Sequence, residues 1–219
     1  MGIAKPVTLR VLILLMAIAD LVILGMRLRP WTEIVNLPDE GTAGFDPIAC
    51  LLIYLFLLVW VSNNKNEYVQ KALSVGTFFG LPAGVLLVAN LLLNGQDSKP
   101  IFYIQIGLLI AAGVLWGWAG MRGAAAAGNT NIAIVSGAWS SMVSALMACA
   151  AILTRIDLSH PLSLSQDPWK QYEGLAIGNQ AVQYLVHSLI TVTGFLLICP
   201  LVGAAAGLIF ALARLGEKR

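Results

Sequence analysis

Six long apolar runs, separated by short polar segments, dominate the chain. They cover residues 11–26, 47–62, 72–93, 101–121, 131–153 and 181–213. A helix needs about 20 residues to cross the hydrocarbon core of a bilayer. The runs are continuous and do not alternate, which favours helices over barrel strands. The pattern predicts an all-α, polytopic integral membrane helix bundle with six transmembrane helices, forming a single domain over residues 1–219.

Two connecting segments are long, at 27–46 and 154–180. The second run is short for a span, and the sixth is over-long, so tilt, a kink or protrusion from the membrane is expected there. Trp169, Tyr172 and Ala176 fall on one side of a helix that starts at Pro168. This spacing predicts a short interfacial helix over 168–177, before the sixth span. The alternative is that this segment extends the sixth span into solvent.

Composition supports a membrane location. Of 219 residues, 58% are hydrophobic and 11% charged, and the mean hydropathy is +0.83. Soluble domains carry roughly 25% charged residues, so a soluble enzyme and a disordered chain are excluded. The net charge of +2 is too small for a nucleic-acid binder. The expected partner is therefore the lipid bilayer, together with a second copy of the chain or another membrane protein.

Basic residues predict the orientation. Six spans place both termini on one side of the membrane, and that side holds eight of the Lys and Arg residues against five on the other. Positive charge favours the cytoplasmic side, so both termini are expected in the cytoplasm of a multi-pass protein of the bacterial inner membrane. The first run carries a small-residue motif at 17–19 that is typical of signal-peptide cleavage sites. The run continues beyond it, so a retained span is preferred.

Small residues recur at helical spacing in four spans. They permit close approach of helix backbones, which is how membrane helices associate. The predicted packing residues are Gly76, Gly80, Gly84, Gly113, Gly117, Gly203 and Gly207. These faces are expected to pack the protein's own bundle, and the alternative is an interface with a partner or a second copy.

Two prolines lie inside spans and should kink their helices. Pro82 follows Gly76 by six residues, and Pro200 follows Gly194 by six. If the chain consists of two inverted three-helix halves, these kinks fall in corresponding helices. Paired interruptions of this kind point to the substrate site of a transporter. The alternative is two unrelated kinks.

Asp20 is the one acidic or basic side chain well inside a span. Its insertion costs about 2.5–3.5 kcal/mol at the centre of a helix, so it should face the bundle interior or water. Asn90, Gln105 and His187 lie at similar depth, with Thr191 below His187. One hypothesis is that these five residues line an outward-facing polar cavity that binds a cation or exchanges a proton. The alternative is that Asp20 is hydrogen-bonded to a neighbouring helix and the others reach the interface.

No pattern for catalysis, a metal or a cofactor emerges, so the chain is expected to be no enzyme and to need no cofactor. The alternative is a serine protease in which Ser140 or Ser144 is the nucleophile and acts with His187. Cys50, Cys149 and Cys199 lie in spans without a CxxC pair and are expected to be buried thiols.

The leading hypothesis is a small transporter or permease-like component. The alternative is a non-catalytic membrane subunit that acts through glycine-rich helix packing. A transporter should offer a water-reachable cavity leading to Asp20. A packing subunit should bury Asp20 against another side chain and present small residues to lipid.

Overall fold

A computed structural model describes residues 6–27, 45–63, 66–93, 98–127, 129–155 and 177–216. These residues form six helices, which we number α1 (Pro6–Arg27), α2 (Phe45–Ser62), α3 (Glu67–Leu93), α4 (Lys99–Ala127), α5 (Thr130–Arg155) and α6 (Ile177–Gly216). Each predicted run corresponds to one helix, so the all-α six-helix bundle is confirmed. The predicted interfacial helix at 168–177 lies almost wholly outside the described residues.

Short polar residues cap two of the helices. The side-chain Oδ1 of Asn66 accepts a hydrogen bond from the backbone N–H of Tyr68 at 2.9 Å, at the start of α3. Asn129 Oδ1 accepts from the N–H of Asn131 at 2.9 Å, at the start of α5. Both bonds satisfy an N–H that has no partner within its own helix.

The lengths of the helices and their exposed apolar side chains fit a membrane environment. Helices α3 to α6 are each long and apolar enough to cross it, whereas α1 and α2 contribute shorter apolar stretches, Ile13–Met26 and Asp46–Val61. Large apolar side chains point outward, among them Phe56, Phe78 and Leu201, which are 69%, 70% and 72% exposed. A soluble protein rarely exposes apolar surface on this scale, so the fold is that of a membrane-embedded protein.

Helix α6 is far longer than one bilayer crossing requires. It has 40 residues, or about 60 Å of helix against a hydrocarbon core of about 30 Å. Pro200 lies inside it without ending it. The over-long sixth run is therefore a single continuous helix that must tilt, bend or extend beyond the hydrocarbon core.

Helices α3 to α6 form a closely packed core around α5, which contacts each of the other three. Glycines allow this approach. A Cβ on Gly80 would lie 2.6 Å from the carbonyl oxygen of Ser140 in α5, and a Cβ on Gly120 of α4 would overlap Gly207 of α6. Any larger residue at either position would force the helices apart.

Buried polar bonds tie the core together. Trp139 Nε1 of α5 donates to Thr77 Oγ1 of α3 at 2.9 Å. Trp116 Nε1 of α4 donates to Ser144 Oγ of α5 at 3.0 Å, and the Ser144 hydroxyl donates to the carbonyl of Gly80 in α3 at 2.9 Å. These bonds fix the relative positions of three helices where lipid offers no competing partner.

Helices α1 and α2 pack on the outside of this core as a pair. Helix α1 contacts mainly α5 and α2, and α2 contacts α1 and α6. This grouping differs from the two three-helix halves considered from the sequence, because α3 joins α4, α5 and α6 and leaves α1 and α2 apart. Pro82 and Pro200 therefore lie in two helices of the same core.

We call the surface between this pair and the core the seam. Its buried residues are Ile13, Ala17, Asp20 and Leu24 of α1, Leu51, Tyr54 and Leu58 of α2, Val143, Leu146 and Cys149 of α5, and Leu189, Val192 and Leu196 of α6. All except Asp20 belong to one hydrophobic cluster. The seam is thus a predominantly apolar contact between two groups of helices.

Candidate site at the seam

Asp20 lies on the buried stripe of α1. The stripe runs through Ile13, Ala17, Asp20 and Leu24, at spacings of four, three and four residues, which is one face of an α-helix. Asp20 is 0% exposed, whereas Val22 on the other side of the helix is 56% exposed. The expectation that Asp20 faces the bundle interior therefore agrees with its position.

Within the described part of the chain, the carboxyl group of Asp20 has no hydrogen-bond partner. Among the described residues, neither Oδ1 nor Oδ2 accepts or donates a hydrogen bond. Cys149 of α5 is likewise fully buried in the seam. Buried polar groups in native structures are nearly always hydrogen-bonded, and each exception calls for an explanation such as strain, a functional role, or a bound water or ion. Asp20 is therefore the strongest candidate for a functional residue in the described chain.

Tyr54 and Pro200 form a second polar feature of the seam. In a regular helix the N–H of residue 200 would donate to the carbonyl of Leu196, but proline has no N–H. Tyr54 of α2 fills this role, since its hydroxyl donates to the Leu196 carbonyl oxygen at 2.6 Å. The bond joins the α1–α2 pair to the core at the point where Pro200 interrupts the backbone hydrogen bonds of α6.

Between the described residues, the seam contains little free space. A narrow apolar crevice enters it between α1, α2 and α5, lined by Ile13, Tyr54, Leu58, Trp139 and Leu146 among others, and it has no space for a water molecule. Asp20 is not among the residues that line the crevice. The described residues therefore hold Asp20 in an occluded position.

Asn90 and Gln105 are brought together elsewhere. The Asn90 side chain of α3 donates from Nδ2 to the backbone carbonyl of Gln105 in α4, at 2.9 Å. At the next residue of α3, Arg155 of α5 donates from Nη1 to the carbonyl of Leu91 at 2.6 Å. That carbonyl belongs to the last turn of α3, where it has no helical partner. These bonds tie the ends of α3, α4 and α5 together.

His187 lies on the outward face of α6. It is exposed, and the same helical face carries the exposed Ile190, Leu197 and Leu201. Thr191 donates its hydroxyl to the carbonyl of His187 at 2.9 Å, within the same helix. The structure thus does not bring His187 to the buried side where Asp20 lies.

The predicted packing glycines contact neighbouring helices with one exception. Gly76, Gly80 and Gly84 of α3 lie against α5, Gly117 of α4 lies against Phe210, and Gly203 and Gly207 of α6 lie against α5. At Gly113, no described atom lies within 4 Å of where a Cβ would stand. The adjacent Ala112 is buried in the core, so the contact of α4 with its neighbours passes beside Gly113. Pro82 is exposed, on the side of α3 opposite the glycines.

Tyr54 is the seam residue that sequence reasoning missed. The signal was indirect: Pro200 frees the carbonyl four residues earlier, and a freed carbonyl in a membrane requires a donor. Which helix supplies that donor depends on the packing of α2 against α6. The three cysteines are free and buried, as expected.

No protein-family model, curated protein or solved structure matches the chain. The roles of its residues therefore rest on the geometry of the seam.

Proposed function

We propose that this membrane protein is a small transporter in which Asp20 binds the transported or coupled cation. The observation that carries the proposal is a fully buried carboxyl group with no hydrogen-bond partner among the described residues. An intramembrane acid is costly, and such residues mark ion and proton pathways. A purely structural acid would be expected to accept a hydrogen bond from a neighbouring helix.

The position of Asp20 supports a gating role for the α1–α2 pair. Asp20 lies between two groups of helices, and one of them, α3 to α6, is held together by glycine contacts and polar bonds. The seam has apolar contacts and the Tyr54–Leu196 hydrogen bond. Separation of the pair from the core would therefore disturb fewer specific contacts than separation within the core, and it would expose Asp20 to water.

The proposal keeps the orientation derived from the basic residues, with both termini in the cytoplasm. In that orientation Asp20 lies seven residues from the outer end of α1, at Arg27, or about 10 Å along the helix axis. The closed structure corresponds to an occluded state of the transport cycle. Asn90, Gln105 and His187 have no direct part in the cation site, because none of them belongs to the seam.

Thiol labelling tests the proposal. In a variant with its native cysteines replaced by alanine, Ala17→Cys places a thiol in the seam and Ala145→Cys places one in the α3–α6 core. Both alanines are 0% exposed, so they differ only in location. We expect a membrane-impermeant maleimide to modify position 17 and spare position 145. Protection of both positions, in protein that is folded by gel filtration, would contradict a gated seam.

The second candidate is a packing subunit, and it rests on the outer half of α4. Phe102, Tyr103 and Ile110 are 58%, 71% and 62% exposed. Gly107 has no described atom near its Cβ position. A second copy or a partner helix would cover this surface. Stable co-purification of a membrane protein, together with an unreactive Ala17→Cys, would favour this function over transport.

A further inference from the structure

We infer that the ion handled at Asp20 is a proton, so that the protein moves protons or couples its transport to them. The inference rests on the proposed function and specifies the chemistry of the same site.

A metal cation needs several oxygen ligands. Ca²⁺ takes six to eight and Mg²⁺ six, some of them water. Among the described residues, no group of three or more His, Cys, Asp or Glu could hold a metal ion. The stripe that flanks Asp20 on α1 offers only Ala17 and Leu24. Asp20 alone therefore cannot replace the hydration shell of a metal cation.

The described buried polar side chains that the neighbouring helices α2 and α6 add are thiols, or hydroxyls that already have a partner, namely Tyr54 and Ser188. In α2, Cys50 is a thiol, and the Tyr54 hydroxyl is already bonded to the Leu196 carbonyl. In α5, the Cys149 thiol is directed to the carbonyl of Val192, with Sγ and O 3.9 Å apart. In α6, Cys199 is a buried thiol. Thiols are poor ligands for alkali and alkaline-earth cations, which prefer oxygen.

Among the described residues, no basic side chain forms an ion pair with Asp20. His187 lies on the outward face of α6, and Arg155 of α5 is bonded to the end of α3. Asp46 is exposed in the first turn of α2. In the first turns of α3, Glu67 and Lys71 form an exposed ion pair with each other, with Oε1 and Nζ 2.7 Å apart.

A proton needs none of these ligands. It binds to one carboxyl oxygen and makes the group neutral, which removes most of the cost of its burial. When the seam opens, water can accept the proton, and the resulting carboxylate favours the open state because it is hydrated there. Protonation and closure are thereby linked through a single residue.

Infrared spectroscopy tests the inference without requiring access to the seam. In detergent at neutral pH, exposed carboxyl groups are ionised, so the C=O stretching band of a protonated carboxylic acid should come from Asp20. We expect this band in the wild type and in Asp46→Asn, and its loss in Asp20→Asn. Because asparagine is neutral and nearly isosteric, we expect Asp20→Asn to fold. Absence of the band from the folded wild type, or its loss on addition of sodium or calcium chloride at constant pH, would overturn the proton assignment.

The labelling rate of Ala17→Cys distinguishes an incorrect proton assignment from an incorrect proposed function. If the seam opens when Asp20 loses its proton, the labelling rate should rise with pH beyond the intrinsic rise of a control thiol at an exposed site. This excess should vanish in Ala17→Cys combined with Asp20→Asn. Labelling of position 17 with no excess pH dependence would support opening of the seam but contradict the proton assignment. A position 17 that never reacts would reject the gate itself.

Discussion

The hydrogen bond from Tyr54 to the Leu196 carbonyl can be tested with a double-mutant cycle. Tyr54→Phe removes one hydroxyl from the seam and leaves the carbonyl without a partner, because Pro200 cannot donate to it. Pro200→Ala restores a backbone N–H that can donate to the same carbonyl once the helix regularises. The two substitutions should therefore be energetically coupled.

The expected size follows from the surroundings of the bond. Hydrogen bonds between membrane helices contribute about 0.6 kcal/mol on average and up to about 1.7 kcal/mol. Tyr54 is 5% exposed and the bond is 2.6 Å long, so we expect Tyr54→Phe to cost about 1.5 kcal/mol. In the Pro200→Ala background the cost should fall to about 0.5 kcal/mol. The resulting coupling of about 1 kcal/mol exceeds the usual deviation from additivity of roughly 0.3–0.5 kcal/mol.

Unfolding in mixed detergent micelles, followed by tryptophan fluorescence, gives the four free energies. Tyr103→Phe is the matched control, because Tyr103 is 71% exposed on α4 and should change stability by less than about 0.5 kcal/mol. An equal loss from Tyr54→Phe in both backgrounds would refute the argument that the proline creates the acceptor for Tyr54.

Three further predictions concern the α3–α6 core. Gly120→Ala places a methyl group on Gly207 and should cost about 1–3 kcal/mol through overpacking, whereas Gly113→Ala should be harmless; equal melting temperatures in detergent would contradict this. Ser144→Ala leaves the indole N–H of Trp116 without its acceptor and should cost about 1–3 kcal/mol. Thr193→Ala, which removes a hydroxyl bonded to the Leu189 carbonyl of its own helix, should cost less in the same unfolding assay. The reverse order would be evidence against the network. Arg155→Ala removes the donor to Leu91, so hydrogen exchange of the backbone amides in the last turn of α3 should accelerate. Lys99→Ala, at an exposed side chain, should leave this exchange unchanged. Unchanged exchange in Arg155→Ala would mean that the cap is dispensable.

The number and positions of the helices could be predicted because each bilayer crossing needs a continuous apolar run. Helix α3 nevertheless begins at Glu67, five residues before the apolar run at 72. Its first turns carry the Glu67–Lys71 ion pair, which stabilises a helix without adding hydrophobicity. Apolar length therefore sets the membrane-embedded part of a helix, while capping and charge pairs set its full extent.

The face that each residue presents was harder to predict. Asp20 could be assigned to the interior because a charged group in lipid is costly. For His187, the depth of the residue along the helix did not indicate whether its side chain points to the bundle or to lipid. Both the lipid-facing and the buried sides of α6 are apolar, as Leu201 at 72% exposure and Leu189 at 0% illustrate. The amphipathic pattern that orients a helix in a soluble protein is therefore missing here.

Close contacts between helices were predictable only in part. The spacing of Gly76, Gly80 and Gly84 identifies a face that does lie against α5. The same spacing also predicted Gly113 of α4 as a packing residue, but it did not predict Gly120, which contacts Gly207. A spacing of four residues defines a face, but the crossing angle of the two helices decides which point along it makes contact.

A distance measurement between spin labels determines whether the α1–α2 pair moves against the α3–α6 core to expose Asp20. In the cysteine-free variant, labels at Leu15 of α1 and Leu201 of α6 span the seam, and labels at Phe78 of α3 and Leu201 span the core alone; all three side chains are exposed. We expect two distances across the seam, with populations that shift between acidic and alkaline pH, and one constant distance across the core. A single, pH-independent distance across the seam would mean that the α1–α2 pair does not move and that Asp20 is not gated.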